Sequence, residues 1–328
     1  MPNPVRALTA LALAAVLPLA ASADPLPSWN EGEAKSRILA FVAAVTDPAS
    51  EQYLPPEARI ATFDNDGALW AEQPLYFQLV FALDRVRAQA GAHPEWKDDP
   101  TFAAVLGDDP KALESLHLED VIKLVAASHA GMTDAEFAAS AEAWLGDAKH
   151  PRFGVPYASL VYQPTLELLS FLRDSGFQTW ICSGGGIDFV RAFAEETYGI
   201  PPEQVIGSGI AKEFRFESGA ASFARLPKLL EPVNDKEGKP VWIRRQIGRR
   251  PALAFGNSDG DLAMLRYATS GTGTSLGILL HHDDAEREWA YDRESHVGRL
   301  SEGLDVAKDS GWLLVSMKDD FARVFPAH

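Results

Sequence analysis

The chain has 328 residues, enough for one large domain or for a domain carrying a sizeable insertion. Hydrophobic residues make up 46%, as in a globular protein with a real core, and 46 Asp plus Glu against 30 Lys plus Arg leave a formal charge of -16. That balance argues against nucleic-acid backbone binding as a main role, which needs a basic face, and offers nothing to an anionic membrane.

Met1 to Ala23 have the pattern of a secretory signal: Arg6 near the start, an apolar run from Ala7 to Leu17, and Ala21-Ser22-Ala23 as a cleavage site. The run is too short to span a bilayer and Pro18 interrupts it. The expectation is export, to the periplasm or beyond the cell, without stable membrane association after cleavage. The one cysteine, Cys182, ends an apolar run and is expected to be a buried small hydrophobe without a disulfide.

After a Pro-containing leader, Glu31 to Thr46 has helical spacing (Ile38, Phe41, Val42, Val45), and Asp47-Pro48 closes it. Arg59 to Phe63 is a short apolar strand. Four helical patterns follow with no strand between them, marked by Leu75 to Val86, Thr101 to Leu106, Leu113 to Val125, and Phe137 to Trp144. Thr133 and Glu136 form a capping box for the last. From Pro164 onward, helices and strands alternate: helix Thr165 to Asp174, strand Phe177 to Cys182, helix Ile187 to Tyr198, strand Val205 to Ser208. A hairpin spans Ile210 to Leu226 with Glu217-Ser218-Gly219 as its turn. Helix Pro240 to Ile247, strand Ala252 to Phe255, helix Asp261 to Tyr267 and strand Leu276 to Leu280 come next, and the tail from Trp312 to Phe325 adds a strand and a short helix. Alternation of this kind predicts a doubly wound parallel-sheet α/β fold. The expected division is an α/β core over residues 24–71 and 157–328, with a helical cap over 72–156.

Chemistry is expected where strands end. Asp64 and Asp66 follow the strand Arg59 to Phe63 and are one residue apart, so they project the same way into the space where open parallel sheets bind ligands. Two close carboxylates share a cation, or divide into one ionised and one protonated group. Asp, Asn and Gly are also ordinary turn residues. Ser183-Gly184-Gly185-Gly186, a hydroxyl and then exposed N–H groups before a helix, suits a phosphate, although a plain glycine-rich turn has the same composition. Lys239 at a helix start is electrostatically unfavourable and calls for a negative partner. Gly256-Asn257-Ser258-Asp259-Gly260-Asp261 gathers oxygen donors suited to a hard cation, while Asp259 or Asp261 can equally cap the following helix. His281 and His282, adjacent on a strand, point to opposite faces and make poor joint ligands, and Asp283 with Glu286 reads as a helix start. His117, His129 and His150 have no paired spacing.

In order, these four stretches resemble the motifs of the haloacid dehalogenase superfamily of phosphohydrolases, the second especially that of its phosphoserine-phosphatase branch with an inserted helical cap. The resemblance implies a magnesium-dependent phosphomonoesterase acting on a small-molecule phosphate ester. In that reading Asp64 is the nucleophile and Asp66 the acid and base. Ser183, Gly184 and Lys239 bind phosphate. Asp64, Asp66, Asn257 and Asp261 serve Mg2+. Two departures stand out: Ala68 in place of Thr or Val, and Asn257 in place of an Asp that normally ligates magnesium, with Asp259 as the nearest compensating charge. Trp70, Glu72 and Tyr76 are candidate substrate contacts. Trp70 and Tyr76 with Trp144 could form a cage for a cationic head group, but aromatics at this spacing more often pack cap against core. Alternatives within the superfamily are a non-catalytic phosphate-ligand binder, a dehalogenase, which needs no acid at Asp66, and a phosphomutase, which returns the phosphoryl group.

Overall fold

The computed structural model describes residues 23–107 and 118–327. All of the proposed leader except Ala23 lies outside these residues, as do Leu113, Leu116 and His117. Among the described residues the chain forms nine strands: β1 Ile60–Phe63, β2 Gln178–Gly186, β3 Val205–Ser208, β4 Ile210–Glu217, β5 Ala220–Leu229, β6 Leu253–Gly256, β7 Leu276–Asp283, β8 Ala290–Tyr291 and β9 Leu313–Ser316.

The central sheet runs β3-β2-β1-β6-β7-β8, with β9 also on β7. Its pairings are parallel except at the short β8, which is antiparallel to β7. All four β1 residues are buried, as expected for a central parallel strand covered on both faces. Register sets Phe63 beside Ile181 on one side and Phe255 on the other, and the Phe63 and Phe255 rings stack at 5.6 Å. From β1 the chain winds outward through β2 to β3, then returns to lay β6 on the opposite side. The crevice beyond β1 and β6 is therefore the switch point, where α/β sheets place ligands.

Between β1 and β2, helices at Phe77–Gln89, Pro100–Leu106, Leu118–His129 and Asp134–Asp147 form the insertion, the last opened by the expected Thr133/Glu136 capping box. Its entry and exit lie side by side, since Ala71 N–H donates to Leu160 O and Tyr162 N–H to Leu69 O. Ser218 and Gly219 both have positive φ, 53° and 82°, the conformation of a two-residue type I′ hairpin turn between β4 and β5. The hairpin does not stand apart from the helices. Gly131 and Met132 exchange main-chain hydrogen bonds with Arg225, and Arg225 pairs with Asp134 and Asp188 across Phe137. The helical layer thus gains a β component that local periodicity did not announce.

Three local expectations change. The 187–198 helix is two, Ile187–Arg191 and Ala194–Tyr198, and the break between them lets Phe193 stack on Trp70 at 4.4 Å. β2 continues through Ser183 to Gly186, its register shifting so that Gly186 meets Ser208. Asp283 opens no helix. It ends β7 and accepts from Ser316 Oγ at 2.6 Å and Lys318 N at 2.9 Å, while Asp284 organises the turn after it. Among the described residues no helix is long and apolar enough to cross a membrane.

His129 is buried at this helix–hairpin contact, edge-on to Phe137 at 5.4 Å, with Nδ1 unpartnered. Burial, reinforced by the nearby Arg225, brings it down from 6.5 to about 4. The unfolded chain therefore binds this proton first as pH falls, and stability is lost between the two values. The expected loss is about 2.5 kcal/mol between neutral pH and about pH 4.5, at roughly 1.4 kcal/mol per unit. Urea unfolding at both pH values should show His129→Leu losing less stability than the parent by about that amount; an equal pH dependence would refute the assignment.

Candidate active site

Asp64 is anchored where β1 ends: its N–H donates to Phe255 O at 2.9 Å, continuing the β1–β6 ladder past the last strand residue. The next turn is wound on Asn65, whose carbonyl accepts from the N–H groups of Ala68, Leu69 and Trp70. Gly67 sits at φ +71°, and a Cβ there would lie 2.1 Å from Asn257 Nδ2 and 2.3 Å from Glu72 Oε1. Only glycine meets both conditions.

The negative partner expected for Lys239 is the pair Asp64 and Asp261. Lys239 Nζ is buried, 2.9 Å from Asp64 Oδ1 and 2.6 Å from Asp261 Oδ1, which answers the unfavourable position of an ammonium at a helix start. Burial alone would lower Lys239, but Asp261 and Asp64 outweigh it and hold the ammonium well above its usual range. Burial, followed by the charge of Asp261, holds the Asp64 carboxyl well above the usual carboxylate range. Its Oδ1 has no aligned hydrogen-bond donor despite the nearby ammonium.

Asp66 projects beside it. Trp70 Nε1–H donates to Asp66 Oδ1 at 2.8 Å. Burial raises the Asp66 carboxyl, and Trp70, Lys239 and Ser183 offset part of that rise. Trp70 is thus a partner of Asp66. Its ring is fully buried against Phe193 and Phe77 and has no open face for a cationic head group. Trp144 is likewise engaged, stacked on Tyr157 at 4.9 Å and donating to Asp84. The packing alternative describes both rings. Tyr76 is partly exposed, its hydroxyl accepting from Gly298 N.

Ser183 is buried, its hydroxyl accepting from Gly185 N–H at 3.0 Å, and Asn234 Nδ2 holds its carbonyl at 2.8 Å. Gly184 belongs to the same stretch, close to Asn234 and Asp235. Gly186 N–H donates to Gln78 Oε1 at 2.6 Å, so a residue of the helical insertion reaches the glycine loop. Cys182 next door is buried and its thiol is pushed up to about 12 by burial, as suits a hydrophobe and not a nucleophile.

In the fourth stretch the carboxylates divide. Asp261 Oδ2 accepts from Asn257 N, Ser258 N and Ser258 Oγ, while Oδ1 takes Lys239. It stands behind the site and shapes the loop. Asp259 points elsewhere, accepting from the N–H groups of Ser301, Glu302 and Gly303 at the start of the helix Glu302–Val306. It caps that helix and does not compensate for Asn257. Asn257 itself is buried, with Nδ2 donating to Glu72 Oε1 at 2.8 Å and Oδ1 unpartnered. Glu72 is also buried, and burial, with the charges of Asp66 and Asp64, holds its carboxyl well above the usual range.

Sequence reasoning missed Gln78, Asn234 and His282. The last has Nε2 2.7 Å from Gly67 O, bracing the turn after β1 from β7. None carries a local signal, because each acts on a residue more than 50 positions away.

Among the described residues no group of three His, Cys, Asp or Glu side chains is placed to hold a metal. The chemistry of the site nevertheless suits a hard divalent cation. Two buried oxygens without aligned donors, Asp64 Oδ1 and Asn257 Oδ1, occur where Asp64, Asp66, Glu72 and Asp261 outnumber the Lys239 ammonium.

The sequence profile of haloacid dehalogenase-like hydrolases matches residues 61–266, which include Asp64, Asp66, Ser183, Lys239, Asn257 and Asp261. Among solved structures, the chain is similar to a functionally unknown protein of Anaerococcus prevotii at 17% identity and TM-score 0.50, covering 76% of this chain and 86% of that one. A protein of unknown function from Bordetella pertussis gives 17% identity, TM-score 0.46 and coverage of 78% and 97%. A phosphoserine phosphohydrolase-like protein of Francisella tularensis gives 19%, 0.38, and 68% and 88%. No curated protein matches. With most of the chain matched by one profile, and its aspartates set at the switch point of a parallel sheet, the protein belongs to the haloacid dehalogenase-like hydrolases.

Proposed function

We propose that the chain is an exported, magnesium-dependent phosphomonoesterase acting through a phosphoaspartate on a small-molecule phosphate ester. The observation that carries the reading is the carboxylate pair past β1: Asp64 against a buried ammonium, and Asp66 two residues on, partly buried and raised. A nucleophile and a group able to carry a proton are what phosphate-ester cleavage needs.

Asp64, ionised once the Lys239 ammonium and a bound cation would offset its burial, attacks phosphorus through one oxygen, forming the acyl phosphate as the bond from phosphorus to the ester oxygen breaks. Protonated Asp66 hands its proton to the leaving oxygen. The ionised Asp66 then takes a proton from water, which attacks the acyl phosphate and frees phosphate and Asp64. Lys239, the Ser183 hydroxyl and the Gly184 N–H hold the phosphoryl oxygens. Asp64, the main-chain carbonyl of Asp66 and Asn257 Oδ1 would hold Mg2+, with Asp261 behind. Bound there, the ion supplies charge neutralisation between carboxylate and phosphoryl group.

Residues 1–23 bring export into the same reading, and N-terminal sequencing of the protein released by its host tests it. The function is tested by phosphate release from a panel of esters with and without Mg2+, amine-bearing phosphates included; no magnesium-dependent release from any ester would overturn it. Asp66→Asn should lower kcat on alkyl phosphates by about 10²–10⁴-fold, the range for a lost general acid–base. The deficit in the first step should shrink with an aryl phosphate, whose leaving group needs no proton. A fully active variant removes the role.

A further inference from the structure

Asn257 supplies an amide where the family's fourth motif supplies a carboxylate, and an amide can face a cation in two ways. Its oxygen ligates; its NH2 group, of nearly the same shape, repels. Which end points inward is set by the hydrogen bonds the other end makes.

Here the other end is held. Nδ2 donates to Glu72 Oε1 at 2.8 Å, and the same oxygen accepts from the Tyr291 hydroxyl at 2.7 Å. With two donors directed at it, Oε1 acts as an acceptor whatever the charge on Glu72. The Tyr291 ring is fixed in turn, stacked on His282 at 4.4 Å. The surroundings leave little freedom: a Cβ on Gly298 would fall 1.8 Å from Glu72 Oε1, and one on Gly67 would fall 2.1 Å from Asn257 Nδ2. The outcome is a buried amide oxygen, Asn257 Oδ1, without a partner.

We propose that Glu72 is a positioning residue for the metal: by accepting from Asn257 Nδ2 it turns Asn257 Oδ1 toward the cation. Glu72 thereby belongs to the metal's outer layer and not to the substrate surface. Groups that orient a ligand in this way govern metal affinity as the ligands themselves do. The inference rests on the magnesium reading above.

The test is calorimetric titration of the substrate-free protein with Mg2+. Glu72→Met removes the acceptor and should weaken Mg2+ binding by about 10-fold or more. Glu72→Gln retains a carbonyl acceptor and should stay within about 3-fold of the parent, on the same reasoning. Adding Asn257→Asp to Glu72→Met should restore binding, because a carboxylate presents oxygen whichever way it turns. A role confined to packing predicts that the loss persists in that double variant, and such persistence overturns the proposal. If Glu72→Met does not fold, the near-isosteric pair Glu72→Gln with Asn257→Asp decides: affinity at or above the parent's is expected, and a 10-fold loss overturns it. A parent that binds no Mg2+ sinks the magnesium reading as well, whereas a parent that binds and a Glu72→Met variant that binds equally well sink this inference alone.

Discussion

Asp64→Asn should abolish ester hydrolysis while making the metal-free protein more stable. The activity loss is expected at about 10⁴-fold or more in kcat, because the variant lacks the group that forms the covalent intermediate. Stability moves the other way. Burial and the charge of Asp261 raise Asp64 in the folded chain, so the folded state binds this proton more tightly than the unfolded one. Ionising Asp64 therefore costs stability as pH rises through its ordinary range, and an amide escapes that cost. Lys239 keeps Asp261 at 2.6 Å, so the substitution leaves a balanced pair and no stranded cation. A rise in Tm of about 2–4 °C without Mg2+, for each kcal/mol relieved, is the expected reading by calorimetry. The extra stability that Mg2+ gives the parent should shrink in the variant. An Asp64→Asn protein that hydrolyses phosphate esters at the parent rate refutes the assignment, and one that unfolds refutes the account of the cluster.

Lys239→Met should have the largest effect on folding. Lys239 lies between Asp64 and Asp261, and all three side chains are buried. Removing the cation strands the buried Asp261 carboxylate beside an Asp64 carboxyl that is already raised, a change that costs about 3–5 kcal/mol when one partner of a buried pair is lost. A fall in Tm of about 10 °C follows for a chain of this size. Mg2+ should restore more Tm to this variant than it adds to the parent, since the ion takes over part of the neutralisation. Phosphate release should fall by about 10²-fold or more with the loss of a charged contact to the phosphoryl group. A variant as stable as the parent without metal would show that the cluster is not held by its charges.

Much of the fold is legible because it rests on local periodicity and turn chemistry. The run Arg59 to Phe63 had to be a buried strand, being apolar, β-branched and stopped by Asp-Asn-Asp-Gly. Glu217-Ser218-Gly219 placed the hairpin turn because positive φ is tolerated there, and Thr133 with Glu136 opened the last helix of the insertion. Even the pairing of Lys239 with an anion was readable, from an ammionium-bearing residue at a helix start. Where the partner is not nearby in sequence, no pattern announces it. The hairpin's docking depends on Arg225 finding Asp134 and Asp188, and the division of labour in the fourth stretch depends on Ser301 to Gly303 claiming Asp259.

The strand that carries Asp64 and Asp66, the donor-rich loops and the order of the four stretches follow from residue types and spacing, which act over a few positions. The identity of each group's partner follows from sheet order. β6 returns to the open side of β1, and that return sets Asn257 against Glu72 across 185 residues and leaves its buried oxygen without a partner. Hydrogen bonds and burial act between neighbours in space, and the neighbours are chosen only when the sheet closes.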